Sequence, residues 1–159
     1  MYVHTLAINT MRLEDEIKQK QFNNEYHKMT VNVLYTSSWL TGLHSKLLKK
    51  YRISPQQFNI LRILRGQYPN PATVNLLIER MLDKNSNASR LVEKLRLKGL
   101  VERGACPDDR RAVDVMITKK GLKMLNEIDL VTADAESQFK TLTKVEVKQL
   151  NDLLDKLRG

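Results

Sequence analysis

The sequence predicts a mainly α-helical fold with one small β-hairpin, and three observations carry that expectation. Apolar residues recur at helical spacing over most of the chain, capping boxes mark helix starts at Ser54 and Thr143, and residues 100–117 alone combine β-propensity with a central polar loop. At 159 residues and 42% apolar composition, folding buries roughly 68–70% of the surface an unfolded chain exposes, so a core forms without staples. The lone cysteine, Cys106, has no partner for an internal disulfide, and no apolar run approaches the roughly 20 residues of a bilayer span. Residues 1–10, MYVHTLAINT, have neither the basic start nor the apolar stretch of a signal peptide. A reducing cytoplasm is the expected compartment, and Met11 is a second candidate start.

From Arg12 to Tyr51 there is no proline, and Phe22, Tyr26, Met29, Val33, Leu40, Leu43 and Leu47 approximate a helical period, as one long helix or two in tandem. Glu14, Asp15 and Glu16 supply an acidic first turn, while Gly42 and the cluster Thr36, Ser37, Ser38 weaken the middle and suggest a kink. Ser54 as cap, Pro55 at the first position and Gln57 three residues after the cap open the next helix, with Phe58, Leu61 and Leu64 on one face and its end before Gly66. A turn over Tyr68, Pro69, Asn70 and Pro71 leads to a helix from near Thr73, whose apolar positions are Val74, Leu77, Ile78, Met81 and Leu82. After a polar connection, Asp83 to Asn85, another helix runs from near Ser86 to Lys98 with Ala88, Leu91, Val92 and Leu95 buried, and Gly99 stands just past its end. The hairpin follows, with Leu100–Glu102 leading into the loop Gly104–Arg111 and Ala112–Ile117 leading out. Helix resumes after Thr118 through Phe139, and Thr143 with Glu146 opens a last helix with Val147, Leu150, Leu154 and Leu157 along one side.

Two helices joined by a tight polar turn, the second followed at once by a hairpin, describe a winged helix-turn-helix. The charge distribution agrees. The chain holds 27 Lys and Arg against 18 Asp and Glu, net +9; residues 84–120 carry 10 basic and 5 acidic side chains, residues 121–159 carry 6 and 7. A basic middle and a near-neutral end suit a nucleic-acid surface attached to an assembly element. In the second helix, 100° per residue puts Ser86, Ser89, Arg90 and Glu93 opposite the core, with Asn87 and Lys94 on the flank and Asn85 just before. Small residues allow close approach to a major groove, and Asn and Arg offer bidentate contacts to base edges. In the wing loop, Arg110 and Arg111 sit at the tip of a projecting ribbon, where arginine suits a narrow minor groove.

Residues 77–121, with R-L-V-x-x-L-x-x-K-G-L-V from Arg90, D-D-R-R-A from Asp108 and T-x-K-G from Thr118, resemble the winged helix of the MarR family of bacterial transcription regulators. The resemblance implies a homodimer built from N- and C-terminal helices that presents two winged helices to a pseudo-palindromic operator in double-stranded DNA, as a repressor. By position, residues 86–90 read the major groove, Arg110 or Arg111 enters the minor groove, and Asp109 steadies the wing through an ion pair with one of those arginines. Leu82, Asp83, Lys84 and Asn85 depart from the family's usual glycine in the turn, and Asn87 stands where threonine is common. The resemblance also implies a site for a small aromatic or phenolic effector, for which Tyr35, Trp39, His44, Tyr51 and Tyr68 are candidates. Cys106 offers a redox alternative, although the family's sensing cysteines generally stand near the first helix.

The expected division is an N-terminal arm over 1–11, a dimerisation helix region over 12–52, a winged helix-turn-helix over 53–120 and C-terminal dimerisation helices over 121–159. No metal, cofactor or enzymatic activity is expected. His4, His27 and His44 lie far in sequence from Cys106, and no HExxH, P-loop or GxGxxG occurs. The rival from another class is a winged helix serving as a protein-interaction or assembly module.

Overall fold

The structure is a computed structural model and describes residues 11–105, 113–136 and 141–159. The chain divides into two compact units, Met1–His44 and Ser45–Gly159.

In the first unit, the proline-free stretch resolves into two helices. A single turn, α1 (Leu13–Glu16), is separated by residues 17–24 from the long α2 (Glu25–Leu48), which passes through Thr36–Ser38 and Gly42 without a break. One glycine costs only about 1 kcal/mol in a helix, too little to stop 24 residues. Phe22 lies before α2, edge-on to His27 with ring centroids 5.6 Å apart. The acidic cluster belongs to α1 and fastens that turn to the long helix. The Lys28 ammonium donates to Glu14 Oε1 at 2.5 Å, and the Tyr35 hydroxyl donates to Glu16 Oε2 at 2.7 Å.

In the second unit, α2 ends on buried Leu48, and a 3-10 turn, Lys49–Tyr51, leads to α3 (Pro55–Gln67). The expected capping box is complete: Ser54 accepts from the Gln57 amide, and the Gln57 side chain accepts from the Ser54 amide at 3.1 Å. Gly66 falls inside the last turn of α3, so the helix ends at Gln67, later than expected. A two-residue strand, β1 (Ala72–Thr73), precedes α4 (Val74–Arg80). After the turn comes α5 (Ala88–Leu97), then β2 (Val101–Ala105) and β3 (Val113–Ile117) as the expected hairpin, α6 (Lys119–Glu136) and α7 (Lys144–Arg158). The hairpin is in register from Val101 opposite Ile117 to Ala105 opposite Val113. A third strand went unforeseen: β1 pairs with β3, Ala72 opposite Val115, giving the antiparallel order β1-β3-β2. Two residues after a proline turn, the second of them the cap of the next helix, are too few to show a strand period.

Ile60, Leu61 and Leu64 of α3, Leu77 of α4, Val92 and Leu95 of α5, Val101 and Val115 of the sheet, and Leu125 and Ile128 of α6 close the core. Two expected core residues are absent from it. Ile78 lies within α4 but off the side that buries Leu77, and Leu82 is exposed because α4 stops at Arg80 and Met81 turns extended, which ends the helical period that placed it inward. The Thr143–Glu146 capping box opens α7 as expected, but Val147, Leu150 and Leu157 remain exposed.

One junction sets how α5, the sheet and α6 meet. Gly99 adopts φ +69°, and the amides of Gly99 and Leu100 return to the carbonyls of Arg96 (2.8 Å) and Leu95 (3.0 Å), closing α5 in a Schellman motif. Leu100 O in turn accepts from the Thr118 amide, and a Cβ at Gly121 would lie 2.4 Å from that same oxygen and 2.7 Å from Ile117 Cγ1. Gly121→Ala is therefore expected to destabilise the second unit by about 1–3 kcal/mol through overpacking. Gly42→Ala, with no neighbour within 4 Å of the new Cβ, is expected to be neutral or stabilising by up to about 1 kcal/mol. Urea unfolding of the two variants checks both signs.

The Lys28 ammonium holds the Glu14 carboxyl well below its ordinary value of 4.5, at about 2. A carboxylate depressed by folding adds stability that is present above its unfolded pKa and is lost as pH falls through the folded one. The α1–α2 fastening should therefore persist below pH 4.5 and loosen near pH 2. Carbon-detected NMR titration of Glu14 should give that midpoint, and Lys28→Met should return it towards 4.5.

Candidate nucleic-acid interface

The turn before the recognition helix is built by side chains rather than by glycine. Asp83 Oδ1 accepts from the Asn85 amide at 3.1 Å, and Oδ2 accepts from the Ser86 hydroxyl at 2.7 Å. The Ser86 bond, then the Asn85 amide, keeps the Asp83 carboxyl below the usual range, outweighing its partial desolvation. Asn59 Oδ1 accepts from the Leu82 amide at 2.9 Å and fixes the near side to α3. Among the described residues, only Lys18 and Arg52 have positive φ without being glycine, so the turn needs no left-handed residue at 82–85. The departure from the family's glycine thus has a local compensation.

The recognition helix starts two residues later than the spacing suggested. Asn87 is the cap, its Oδ1 accepting from the Arg90 amide at 2.9 Å, and Ser86 belongs to the turn. Asparagine competes for backbone donors more effectively as a cap than it serves inside a helix, which moves the boundary. Asn85, Asn87, Ser89, Arg90 and Lys94 are exposed, and Ser86 is half-buried. The structure therefore brings all six expected residues of this segment to the turn and outer side of α5. Among the described residues, neither Arg90 nor Lys94 enters a salt bridge.

Three further charged residues join this face. Glu93 forms ion pairs with Arg96 at 2.8 Å and with Arg103 of β2 at 3.3 Å. The spacing of Glu93 and Arg96 on one helix was visible in the sequence, whereas the reach of Arg103 depends on where the hairpin begins. Arg96, chiefly through its hydrogen bonds, holds the Glu93 carboxyl below the usual range. Cys106, Asp109, Arg110 and Arg111 lie outside the described residues, as does the Phe139 end expected for the sixth helix.

The five aromatic and histidine candidates for an effector site divide between the units, Tyr35, Trp39 and His44 in the first and Tyr51 and Tyr68 in the second. Tyr35 is engaged by Glu16, Trp39, His44 and Tyr68 are exposed, and half-buried Tyr51 lies under the Lys50 ammonium, 4.8 Å from its ring centroid. An open cleft of about 450 Å³ in the first unit is lined by Arg12, Glu14, Lys20, Phe22, Glu25 and Lys28 among others, and by none of the five. Among the described residues there is no group of three or more His, Cys, Asp or Glu placed to hold a metal, and no helix long and apolar enough to cross a membrane.

A short helix, a side-chain-locked turn, an amphipathic second helix and a wing strand reaching back to it define a winged helix-turn-helix protein. Residues 53–112 match the model described as MarR family. An HTH-type transcriptional repressor, IacR of Pseudomonas putida, is 27% identical over 125 residues, 74% of each chain. A MarR-like transcription regulator from Bacillus cereus superposes with a TM-score of 0.75 at 26% identity, over 84% of this chain and 96% of that one. A cysteine-substituted MarR from E. coli, complexed with operator DNA, superposes with a TM-score of 0.76 at 26% identity, over 88% and 100%. The match over residues 53–112, this relative and these solved structures together support a winged-helix transcription regulator of the MarR type.

The double use of Asn87 is open to test. Asn87→Ala removes the cap and is expected to cost about 1 kcal/mol of stability. Asn87→Ser or Asn87→Asp should keep most of that stability, so thermal unfolding separates capping from any effect on binding.

Proposed function

We propose that this protein is a sequence-specific double-stranded DNA-binding transcription regulator, acting in the cytoplasm as a homodimeric repressor. The observation that carries this reading is the outer side of α5. There Arg90 and Lys94 are exposed without an ion pair among the described residues, beside the short polar side chains of Asn85, Ser86, Asn87 and Ser89. Small polar residues near a helix N-terminus let the helix enter a major groove, and the cations offer contacts to base edges and phosphates. Asn87 spends its carboxamide oxygen on the cap, so its amide N–H groups are what remains for an acceptor on a base. In the wing, Arg110 and Arg111 are the proposed minor-groove residues and Asp109 their proposed anchor.

The partner DNA follows from symmetry. A two-fold dimer reads a pseudo-palindrome whose half-sites lie about one helical turn, roughly 34–36 Å, apart. The exposed apolar stripe of α7, Val147, Leu150 and Leu157, supports the self-association this needs. A small aromatic or phenolic effector is the proposed release signal. It acts only through different affinities for the DNA-competent dimer and another conformation. The candidates Tyr35, Trp39, His44, Tyr51 and Tyr68 are the residues to vary for it.

Selection of bound duplexes from random DNA, followed by titration of the selected operator at several salt concentrations, tests the reading. Affinity should fall with a log–log slope of about 0.9 per neutralised phosphate. Arg90→Ala is expected to cost about 1–3 kcal/mol on the operator and to relax specificity, while Lys94→Ala should weaken all sequences and lower the slope by about 1. Arg110→Ala and Arg111→Ala should weaken operator binding with the dimer intact. A flat salt response, or selection that recovers no sequence, overturns the proposal.

A further inference from the structure

Glu93 stands on the outer side of α5 beside the two unpaired cations, yet its carboxylate is fully occupied by arginine. Oε1 accepts from Arg96 Nη2 at 2.8 Å and Oε2 from Arg96 Nε at 3.0 Å, a two-pronged contact, while Oε2 takes a further bond from Arg103 Nη1 at 3.3 Å. Two-pronged arginine–carboxylate contacts are among the stronger ion pairs and fix the guanidinium plane. Arg103 reaches the helix because it lies two residues beyond buried Val101, on the face of β2 that Val101 turns into the core. All three side chains remain partly open to solvent, at 40%, 47% and 32% for Glu93, Arg96 and Arg103. They form a surface cluster that carries one net positive charge where the arginines alone would carry two.

That arrangement matters for a protein that must find one sequence among many. Phosphate contacts carry no sequence information and supply nearly all non-specific binding. Two free arginines flanking the recognition helix would add to that background, whereas a guanidinium already forked onto a carboxylate must break the pair before it takes a phosphate. The Glu93 charge also repels any phosphate approaching between them.

We infer that Glu93 is a specificity-determining residue, which withholds Arg96 and Arg103 from sequence-independent phosphate contact and leaves Arg90 and Lys94 to meet the DNA. The inference rests on the reading that α5 docks on duplex DNA. Glu93→Gln, which removes the charge and keeps the shape, tests it in the full chain by fluorescence anisotropy on the selected operator and on a scrambled duplex between 50 and 200 mM salt. The scrambled duplex should bind more tightly at low salt, and its slope should steepen by about 0.9 per released arginine, up to about 1.8, an extra loss of about tenfold across that range. The ratio of operator to scrambled affinity should fall, and adding Arg96→Ala with Arg103→Ala should abolish the change. An unchanged or shallower slope overturns the inference. Should Glu93→Gln not fold, Arg96→Ala and Arg103→Ala in the otherwise unaltered chain decide the matter. Unaltered slopes support withholding, and a loss of about 0.9 for each shows that the arginines already touch phosphate. Wild-type protein that binds no duplex overturns the DNA reading and this inference together, whereas wild-type binding with a flat Glu93→Gln response overturns this inference alone.

Discussion

The peptide of Leu100 is the constraint on which the winged helix depends. Its N–H closes the recognition helix onto Leu95, its carbonyl receives the Thr118 amide at the start of α6, and its side chain is fully buried. Within one residue the chain therefore ends the helix, begins the strand and fixes where the next helix leaves. Two glycines make this possible for different reasons. Gly99 supplies a left-handed turn that an L side chain resists, and Gly121 supplies the space a Cβ would take from the Leu100 carbonyl. Further bonds converge on the junction: Thr118 Oγ1 donates to Gly99 O at 2.8 Å, Lys120 Nζ donates to Lys98 O at 2.7 Å, and Lys98 Nζ donates to Arg52 O. The last of these uses the carbonyl of a left-handed residue just before α3, so the start of α3 is tied to the end of α5.

A rigid base changes what the outer side of α5 can do. Reading a base edge needs donors held in place before the duplex arrives, because ordering them on contact costs free energy that subtracts from affinity. The helix is held at its start by Asn87 and the Asp83 turn, at its end by Gly99 and Leu100, and sideways by Glu93 to Arg103. Arg62 and Arg65 of α3 both reach Asp129 of α6, at 3.1 and 2.5 Å. The helix ahead of the motif is thus also fastened to the element that leads towards the C-terminal end. Polar contacts therefore run from α6 to α3, and through Asn59 and the Leu82 amide to the turn before α5.

Much of this was legible in the sequence because it is written in local chemistry. Ser54 with Gln57, Thr143 with Glu146, and Gly99 after a helical stripe act within a few residues of themselves, and each stands where the spacing put it. The hairpin was legible for the same reason, from β-propensity on both sides of a polar loop. What escaped depends on distant partners or on competition for one group. β1 exists because β3 offers it an edge. Asn87 looked like a helical residue on the flank, and is the cap because its carboxamide oxygen accepts from the Arg90 amide. Leu82 fitted a helical template that Met81 breaks. The bond from the Tyr35 hydroxyl to Glu16, 19 residues earlier, likewise shows no spacing in the sequence.

The last helix shows where the chain's own packing stops. α7 has a well-formed start and apolar residues at helical spacing, yet buries none of its side chains. Burying apolar surface is worth about 25 cal/mol per Å², so a stripe of valine and leucine left facing water forgoes several kcal/mol that another surface would recover. Capping accounts for why these residues are helical but not for why one side of the helix is apolar. A solvent-facing helix at a chain end has no local reason to carry Val147, Leu150, Leu154 and Leu157 in register. The proposed homodimer would supply that reason, because a two-fold interface lets a single stripe be its own complement. The near-neutral charge of residues 121–159, against the basic excess of residues 84–120, would then have a physical basis: like charges brought together across the proposed dimer interface repel, whereas those spread along a helix on duplex DNA are neutralised by phosphate.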